Sequence, residues 1–318
     1  QALRQYLPQR QLIPNQFFVF PENEKPNAKL MVLRNKPLAK RGDRRTVYEP
    51  GHLRPVDCNR LKTYMENIWG KGRQFDVRQL IALELITDPD VGAVVLAGRA
   101  GSGKTSVAFT SGLLQVLCDR DGFGKYRNMI IAKTQEMGGG KEYEHETLPG
   151  NMLEKNLPFY QPYISILEET DMLEPFESLI TREEQVRATV APRHLLFRES
   201  SPLAKRVFAR AEPFLKILPL GYLRGVNVTG LMLVDEAQNA PVGIIKALVT
   251  RITEGGKLVL FGDMHDQIDR AGYSPEYNGL VIPLSMWYGK DFFGVAPLNK
   301  NYRSAASRDA ADWVREVI

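Results

Sequence analysis

An α/β fold, a parallel sheet flanked by helices, is predicted by three features of the sequence. Short apolar runs recur in GAVVLAG, NMIIAKT, GLMLVDE and KLVLFGD, and continuous runs of this length suit strands buried on both faces. Segments with helical spacing, such as DVRQLIALELI and TSVAFTSGLLQVL, alternate with them, as a parallel sheet requires. The run VVLA leads directly into GRAGSGKT, Gly98 to Thr105, which reads G-x-x-x-x-G-K-[ST]. Strand, glycine-rich loop and helix in that order form a phosphate-binding loop.

The elements follow in chain order. Residues 1–74 carry PENEKPNAK, RNKPLAKRGDRR and YEPGHLRP, rich in Pro, Lys and Arg, with one apolar burst, NQFFVF. They predict a linker or a small β-rich module. Residues 75–318 carry the alternating pattern and predict the main domain. The 318 residues are 43% hydrophobic and 25% charged, which is ordinary for a globular chain with a sizeable core. The net charge of +5 leans toward an anionic partner. Cys58 and Cys118 have no C-x-x-C spacing and only four histidines accompany them, which argues against zinc and against a disulfide framework. No apolar run is long enough to span a membrane and no signal peptide is visible, so a cytoplasmic location is expected. The chain opens on Gln1, as a fragment of something longer would.

The loop chemistry can be assigned residue by residue. Gly98, Gly101 and Gly103 let the backbone wrap tightly, so that the stretch Gly98, Arg99, Ala100, Gly101, Ser102 and Gly103 turns its N–H groups inward. The helix starting near Lys104 adds the positive end of its dipole. Lys104 is expected to reach the β- and γ-phosphates of a nucleoside triphosphate, and the Thr105 hydroxyl to bind Mg²⁺. The run LMLVDEAQN ends in Asp235 and Glu236. Acids at the end of a buried parallel strand lie where ligands collect. Asp235 is expected to hold Mg²⁺ through water and Glu236 to act as general base on the attacking water; helix capping is the alternative for the aspartate. A further run, LVLFGDMHDQID, places Asp263 and Gln267 in a loop, where the Gln267 amide can sense the γ-phosphate. In LNKNYRS, Arg303 offers a planar fork to a phosphate.

Together GRAGSGKT, LVDEAQN, LFGDMHDQID and LNKNYRS resemble the ATPase domain of the PhoH family, and also the first motor domain of superfamily 1 helicases. RQLIALELI, ETLPGNMLEKNLPFYQPYISILE, LRGVNV and the NGL at 278–280 are further PhoH-like pieces. The resemblance covers 75–318, and NQFFVF extends it upstream. It implies a RecA-like P-loop NTPase fold using ATP and Mg²⁺, with the KLVLFGD strand between the P-loop strand and the DEAQ strand. It also implies that Gln79 contacts adenine, although a helical glutamine on its own is usually solvated. Lys133 and Thr134 stand where many relatives have an Arg-Pro pair. PhoH members that carry a PIN nuclease place it before a linker much like residues 1–74; no acidic site of that kind occurs within this sequence, so the resemblance implies either a nuclease in a part preceding Gln1 or a member that lacks one.

The expected activity is ATP hydrolysis driving movement along single-stranded nucleic acid, RNA ahead of DNA, in the manner of a helicase or translocase. RNKPLAKRGDRR could contact phosphates and Phe17, Phe18 and Phe20 could stack bases, but a solvated loop and a small hydrophobic plug are the plainer readings. A P-loop kinase and an ATP-switched binding module are the alternatives; Glu236 and Gln267 favour hydrolysis. Only 14 residues follow LNKNYRS in this sequence, so the pocket is expected to lack a second motor domain of its own to close it. A neighbouring copy can, and a homohexamer with ATP at each junction is expected. Arg251 is the first choice for an arginine offered in trans and Arg224 the second, and either can equally be an ordinary surface charge.

Overall fold

The computed structural model describes residues 13–20, 29–37, 48–69, 75–117, 126–134, 136–137, 141–142, 162–168, 215–223 and 227–302. Phe17–Phe20 (β1), Lys29–Pro37 (β2) and Tyr48–Pro55 (β3) form an antiparallel three-stranded sheet in sequence order. The helices Cys58–Trp69 (α1) and Val77–Thr87 (α2) follow. Next come Ala93–Ala97 (β4), the helix Lys104–Leu117 (α3) and Met129–Lys133 (β5). A small ribbon, Glu136–Met137 (β6) and Lys141–Glu142 (β7), and a helical segment at 162–168 precede Leu215–Pro219 (β8). Leu231–Asp235 (β9), Val242–Val249 (α4), Lys257–Gly262 (β10), Val281–Trp287 (α5) and Phe293–Pro297 (β11) complete the described elements.

The main sheet has six strands in the order β11-β4-β10-β9-β5-β8, and every pairing is parallel. This is a RecA-like P-loop α/β fold, as the sequence predicts. β10 lies between β4 and β9, the expected order. All residues of β4, β9 and β10 are buried, because helices cover both faces. Alternation along the strands divides the core in two. Val94, Leu96, Leu233, Val259 and Phe261 face Leu83 of α2 and Phe109 of α3. Val95, Val234, Leu258 and Leu260 face Ile244, Ile245 and Leu248 of α4.

The N-terminal sheet shares the first of these cores: Leu30, Val32, Val56 and Leu61 belong to it, and Phe17 packs against it. Phe17 thus serves the hydrophobic plug. Arg34 and Arg54 reach down to Glu84 and Asp88 on and just past α2, with Arg54 to Asp88 at 3.1 Å. Asn15 donates from Nδ2 to the carbonyls of Asp291 and Phe293 at 2.7 and 2.8 Å, fastening the strand entry to β11.

The orientation of α2 matters for the site, and both of its ends are held. At its start Asp76 and Gln79 form a reciprocal capping box. At its end the Lys257 ammonium, 1% exposed at the start of β10, donates to the carbonyls of Leu85, Ile86 and Asp88 at 2.5–2.9 Å. A cation there satisfies carbonyls that a helix leaves without intrahelical donors. Lys257→Met is expected to lower stability by about 2 kcal/mol, seen as a lower urea midpoint at unchanged slope; an unchanged midpoint would show that the cap contributes nothing. Among the described residues no helix is long and apolar enough to cross a membrane.

Candidate active site

The loop between β4 and α3 is shaped by its glycines. Gly101 and Gly103 have φ of 78° and 82°, a region that favours glycine. Gly98 has no room for a side chain: a Cβ there would run into the Leu298 carbonyl just after β11. Backbone bonds fix the loop from three sides: Gly98 N–H donates to Gly262 at 3.1 Å, Leu298 N–H to Ala97 at 2.7 Å, and Tyr302 N–H to Gly101 at 3.0 Å. Lys104 is buried, and its Nζ donates to the Gly98 and Arg99 carbonyls at 2.6 and 2.9 Å. The buried Ser102 Oγ has no hydrogen-bond partner in the structure. A tight cradle of glycine backbone, a helix N-terminus, an ammonium and an orphaned hydroxyl fits a polyphosphate. Arg99 and Ala100 are half-buried, as is Thr105 in the first turn of α3. Arg99 turns to the loop after β10, pairing its Nε with Asp266 at 2.9 Å.

The carboxylates sit at the C-terminal end of β9, one strand beyond β10. Asp235 is buried. Its Oδ1 accepts the Glu236 N–H at 3.0 Å and its Oδ2 the Tyr163 hydroxyl at 2.8 Å. Burial raises its pKa, opposed by the Lys133 charge, these two hydrogen bonds and Lys104. Glu236 has φ 50° and ψ 43°, a left-handed conformation uncommon outside glycine and found where a backbone is held for function. Its Oε2 accepts from Gln238 Nε2 at 2.6 Å. Burial, then the neighbouring Asp235 charge, raises its pKa. Two carboxyls destabilised by burial, within the field of Lys104, are suited to a divalent cation, which inverts that local bias. Among the described residues no three His, Cys, Asp or Glu cluster as a metal site. Mg²⁺ here would rely on Asp235, Thr105 and the substrate phosphates, which is how this ion is usually held.

The family described as PhoH-like protein matches residues 73–302. The chain belongs to the PhoH family. It is 32% identical over 248 residues to Protein PhoH2 of Bacillus subtilis strain 168, covering 78% of this chain and 48% of that protein. With Protein PhoH2 of Thermobispora bispora it shares 26% identity over 270 residues, 84% of this chain and 52% of the relative. The chain spans about half the length of these curated relatives. Among solved structures, unliganded Pif1 from Bacteroides sp. aligns over 73% of this chain and 43% of its own, at 15% identity and a TM-score of 0.29, too low to bear on the fold.

In this PhoH chain the remaining expected residues divide into three groups. Gln79 is beside the loop: its Nε2 is 3.4 Å from where a Cβ on Gly103 would stand, while its Oε1 accepts the Asp76 N–H at 3.2 Å. Gln267 lies in the loop after β10 with its side chain exposed; its carbonyl accepts from Gln238 and Asn239 at 2.9 and 3.2 Å. Arg251 lies far from both. It precedes β10 and its carbonyl accepts from Val228, ahead of β9, so it sits at the N-terminal edge of the sheet, about 20 Å of strand from its own P-loop. Arg224, Arg303 and Cys118 lie outside the described residues.

Sequence reasoning missed the clamp. Gln238 and Asn239, read only as the end of DEAQN, are buried and hold the 263–269 loop. Gln238 Oε1 accepts the Asp263 N–H at 3.1 Å and Asn239 Oδ1 the Asp269 N–H at 2.8 Å. A Cβ on Gly262 would displace the Gln238 amide, and one on Gly279 of NGL would strike the Ala237 and Ala240 carbonyls. Two amides following two acids at the end of a buried strand were the available signal, since a buried amide must find partners. Tyr302 was missed too. Its N–H donates to the Gly101 carbonyl of the loop, its hydroxyl donates to Asp76, which caps α2, and the residue is 45% exposed with Lys300 Nζ 5.1 Å from its ring centroid.

Proposed function

We propose that this chain is an ATP hydrolase whose turnover is coupled to single-stranded nucleic acid, RNA favoured, and that its copies close into a homohexameric ring in the cytoplasm. The observation that carries the hydrolase reading is the strand order. β10 separates the P-loop strand from the strand that ends in Asp235 and Glu236; a directly paired P-loop strand and acidic strand would have pointed to a kinase-like fold. The clamp by Gln238 and Asn239 supports it by bringing the loop that carries Gln267 to the acidic turn.

In this reading the loop N–H groups and Lys104 bind the β- and γ-phosphates, and Gln79 faces the base. Thr105 through its hydroxyl and Asp235 through water would hold Mg²⁺, which would neutralise charge on the phosphates. Glu236 accepts a proton from the attacking water as that oxygen bonds to the γ-phosphorus. The bond to the bridging oxygen breaks and ADP leaves with its electron pair. Gln267 orients the water and Arg303 pairs with phosphate, as positioning and charge stabilisation require. Arg251, at the opposite edge of the sheet, acts on a neighbour's nucleotide.

ATP turnover measured with single-stranded RNA, duplex RNA and DNA at two salt concentrations tests the coupling, since contacts to a phosphate backbone weaken as salt rises. Stimulation by single-stranded RNA that fades with salt is expected. Turnover indifferent to every polymer would leave an ATP-switched binding module, and a phosphorylated small acceptor would identify a kinase. Light scattering over a dilution series tests the ring: full specific activity from a monomer would sink both the hexamer and the trans role of Arg251.

A further inference from the structure

Between β5 and β8 the helical segment at 162–168 inserts one side chain into the floor of the site. Tyr163 is 0% exposed, and its ring packs at 58° on Phe109 of α3 with centroids 5.0 Å apart. Ile164, Ile166 and Leu167 lie in the same core, so the segment is anchored by apolar contacts on the P-loop helix. A buried phenol needs a partner for its hydroxyl, and this one donates to Asp235 Oδ2 at 2.8 Å. The other oxygen, Oδ1, already accepts the Glu236 N–H at 3.0 Å. The carboxylate is therefore held by one donor on each oxygen. A carboxylate has about four lone-pair sites, so this arrangement fixes its plane and leaves acceptor capacity on both oxygens. Aspartate has a broad χ2 preference of its own. The nearby cation does not supply the missing direction, because Lys133 Nζ is 4.0 Å from Oδ2, beyond hydrogen-bond length.

We propose that Tyr163 is the positioning residue of the metal site: its hydroxyl holds the Asp235 carboxylate in the orientation that receives Mg²⁺, and keeps Lys133 from closing on Oδ2 in the metal's stead. This rests on the reading of Asp235 as the Mg²⁺ carboxylate. The phenol acts through Asp235, to which its hydroxyl is bonded. Groups that orient a metal ligand in this way commonly contribute 10–100-fold to metal affinity.

Tyr163→Phe keeps the ring against Phe109 and removes only the hydroxyl. Mn²⁺ binding is followed by electron paramagnetic resonance with a non-hydrolysable ATP analogue bound, and nucleotide binding alone is measured in EDTA. The Mn²⁺ dissociation constant is expected to rise about tenfold while nucleotide affinity in EDTA stays at the wild-type value. Turnover should recover when Mg²⁺ is raised in proportion. Phe109→Leu, which disturbs the packing but keeps the hydroxyl, should lower the melting temperature and leave Mn²⁺ affinity unchanged. An unaltered Mn²⁺ constant in Tyr163→Phe overturns the proposal, as does an equal loss in Phe109→Leu. Asp235→Asn separates the two levels. If it binds Mn²⁺ as well as wild type, the assignment of Asp235 itself fails; if it loses Mn²⁺ while Tyr163→Phe does not, the role of Tyr163 alone fails.

Discussion

Replacing Glu236 by Gln is expected to leave ATP binding at its wild-type strength and to lower turnover by roughly 10²-fold or more. The amide has the shape of the carboxyl and its oxygen can still accept from Gln238 Nε2, which lies 2.6 Å from Oε2 in the native site. The left-handed backbone at Glu236 is set by the turn that enters Ala237–Asn239 and does not depend on the side-chain charge. What disappears is the capacity to take a proton. Burial and the adjoining Asp235 charge raise the Glu236 pKa, which makes it a stronger base than a solvated glutamate, and the amide has none of that basicity. A nucleotide titration paired with single-turnover hydrolysis separates binding from chemistry. Hydrolysis at the wild-type rate would remove Glu236 from the reaction and reopen the alternative of a binding switch.

Lys104→Ala should act on binding. A loss of roughly 10²-fold in nucleotide affinity is expected when one member of a desolvated, hydrogen-bonded charge pair is truncated. The ammonium is buried and poised at the loop, held by the Gly98 and Arg99 carbonyls, so a ligand phosphate gains it with little cost in side-chain ordering. Its charge also opposes the raised pKa of both Asp235 and Glu236. Removal therefore leaves the two acids less inclined to ionise together, and turnover should fall further than the affinity alone implies. Isothermal titration gives the affinity, and a urea transition shows whether the fold survives. Wild-type affinity with an intact fold would mean that the loop amides alone hold the phosphate.

Much of this was readable from residue order. The apolar runs of β4, β9 and β10 announce strands covered on both faces, since nothing else keeps such runs out of water. GRAGSGKT implies its own geometry, because glycine adopts the left-handed φ at positions 101 and 103 without the strain a side chain brings, and only glycine fits the lack of space at 98. The acids at 235 and 236 reach the loop because parallel strands bring their C-terminal ends together. These are local or periodic signals, and one stretch of chain carries each of them whole. The N-terminal region reads as a linker or a small β-rich module, and its three-stranded antiparallel sheet is the second of these; what the sequence does not show is that Leu30, Val32 and Val56 join the main core beside α2. That burial depends on which surface the strands meet, and composition does not record it.

The same limit explains the polar contacts that escaped notice. Gln238 clamps a loop 29 residues away, Lys257 caps a helix 169 to 172 residues away, and Tyr163 reaches Asp235 across 72 residues. A buried polar side chain must be paired, but its sequence states only the need and never the partner. The sequence by itself determined the phosphate loop, its strand and helix, and the acidic pair that faces it. Tertiary structure alone decided which amides hold the 263–269 loop, which lysine closes α2 and which phenol hydrogen-bonds Asp235, because those choices are made by the packing that brings distant segments within hydrogen-bond reach.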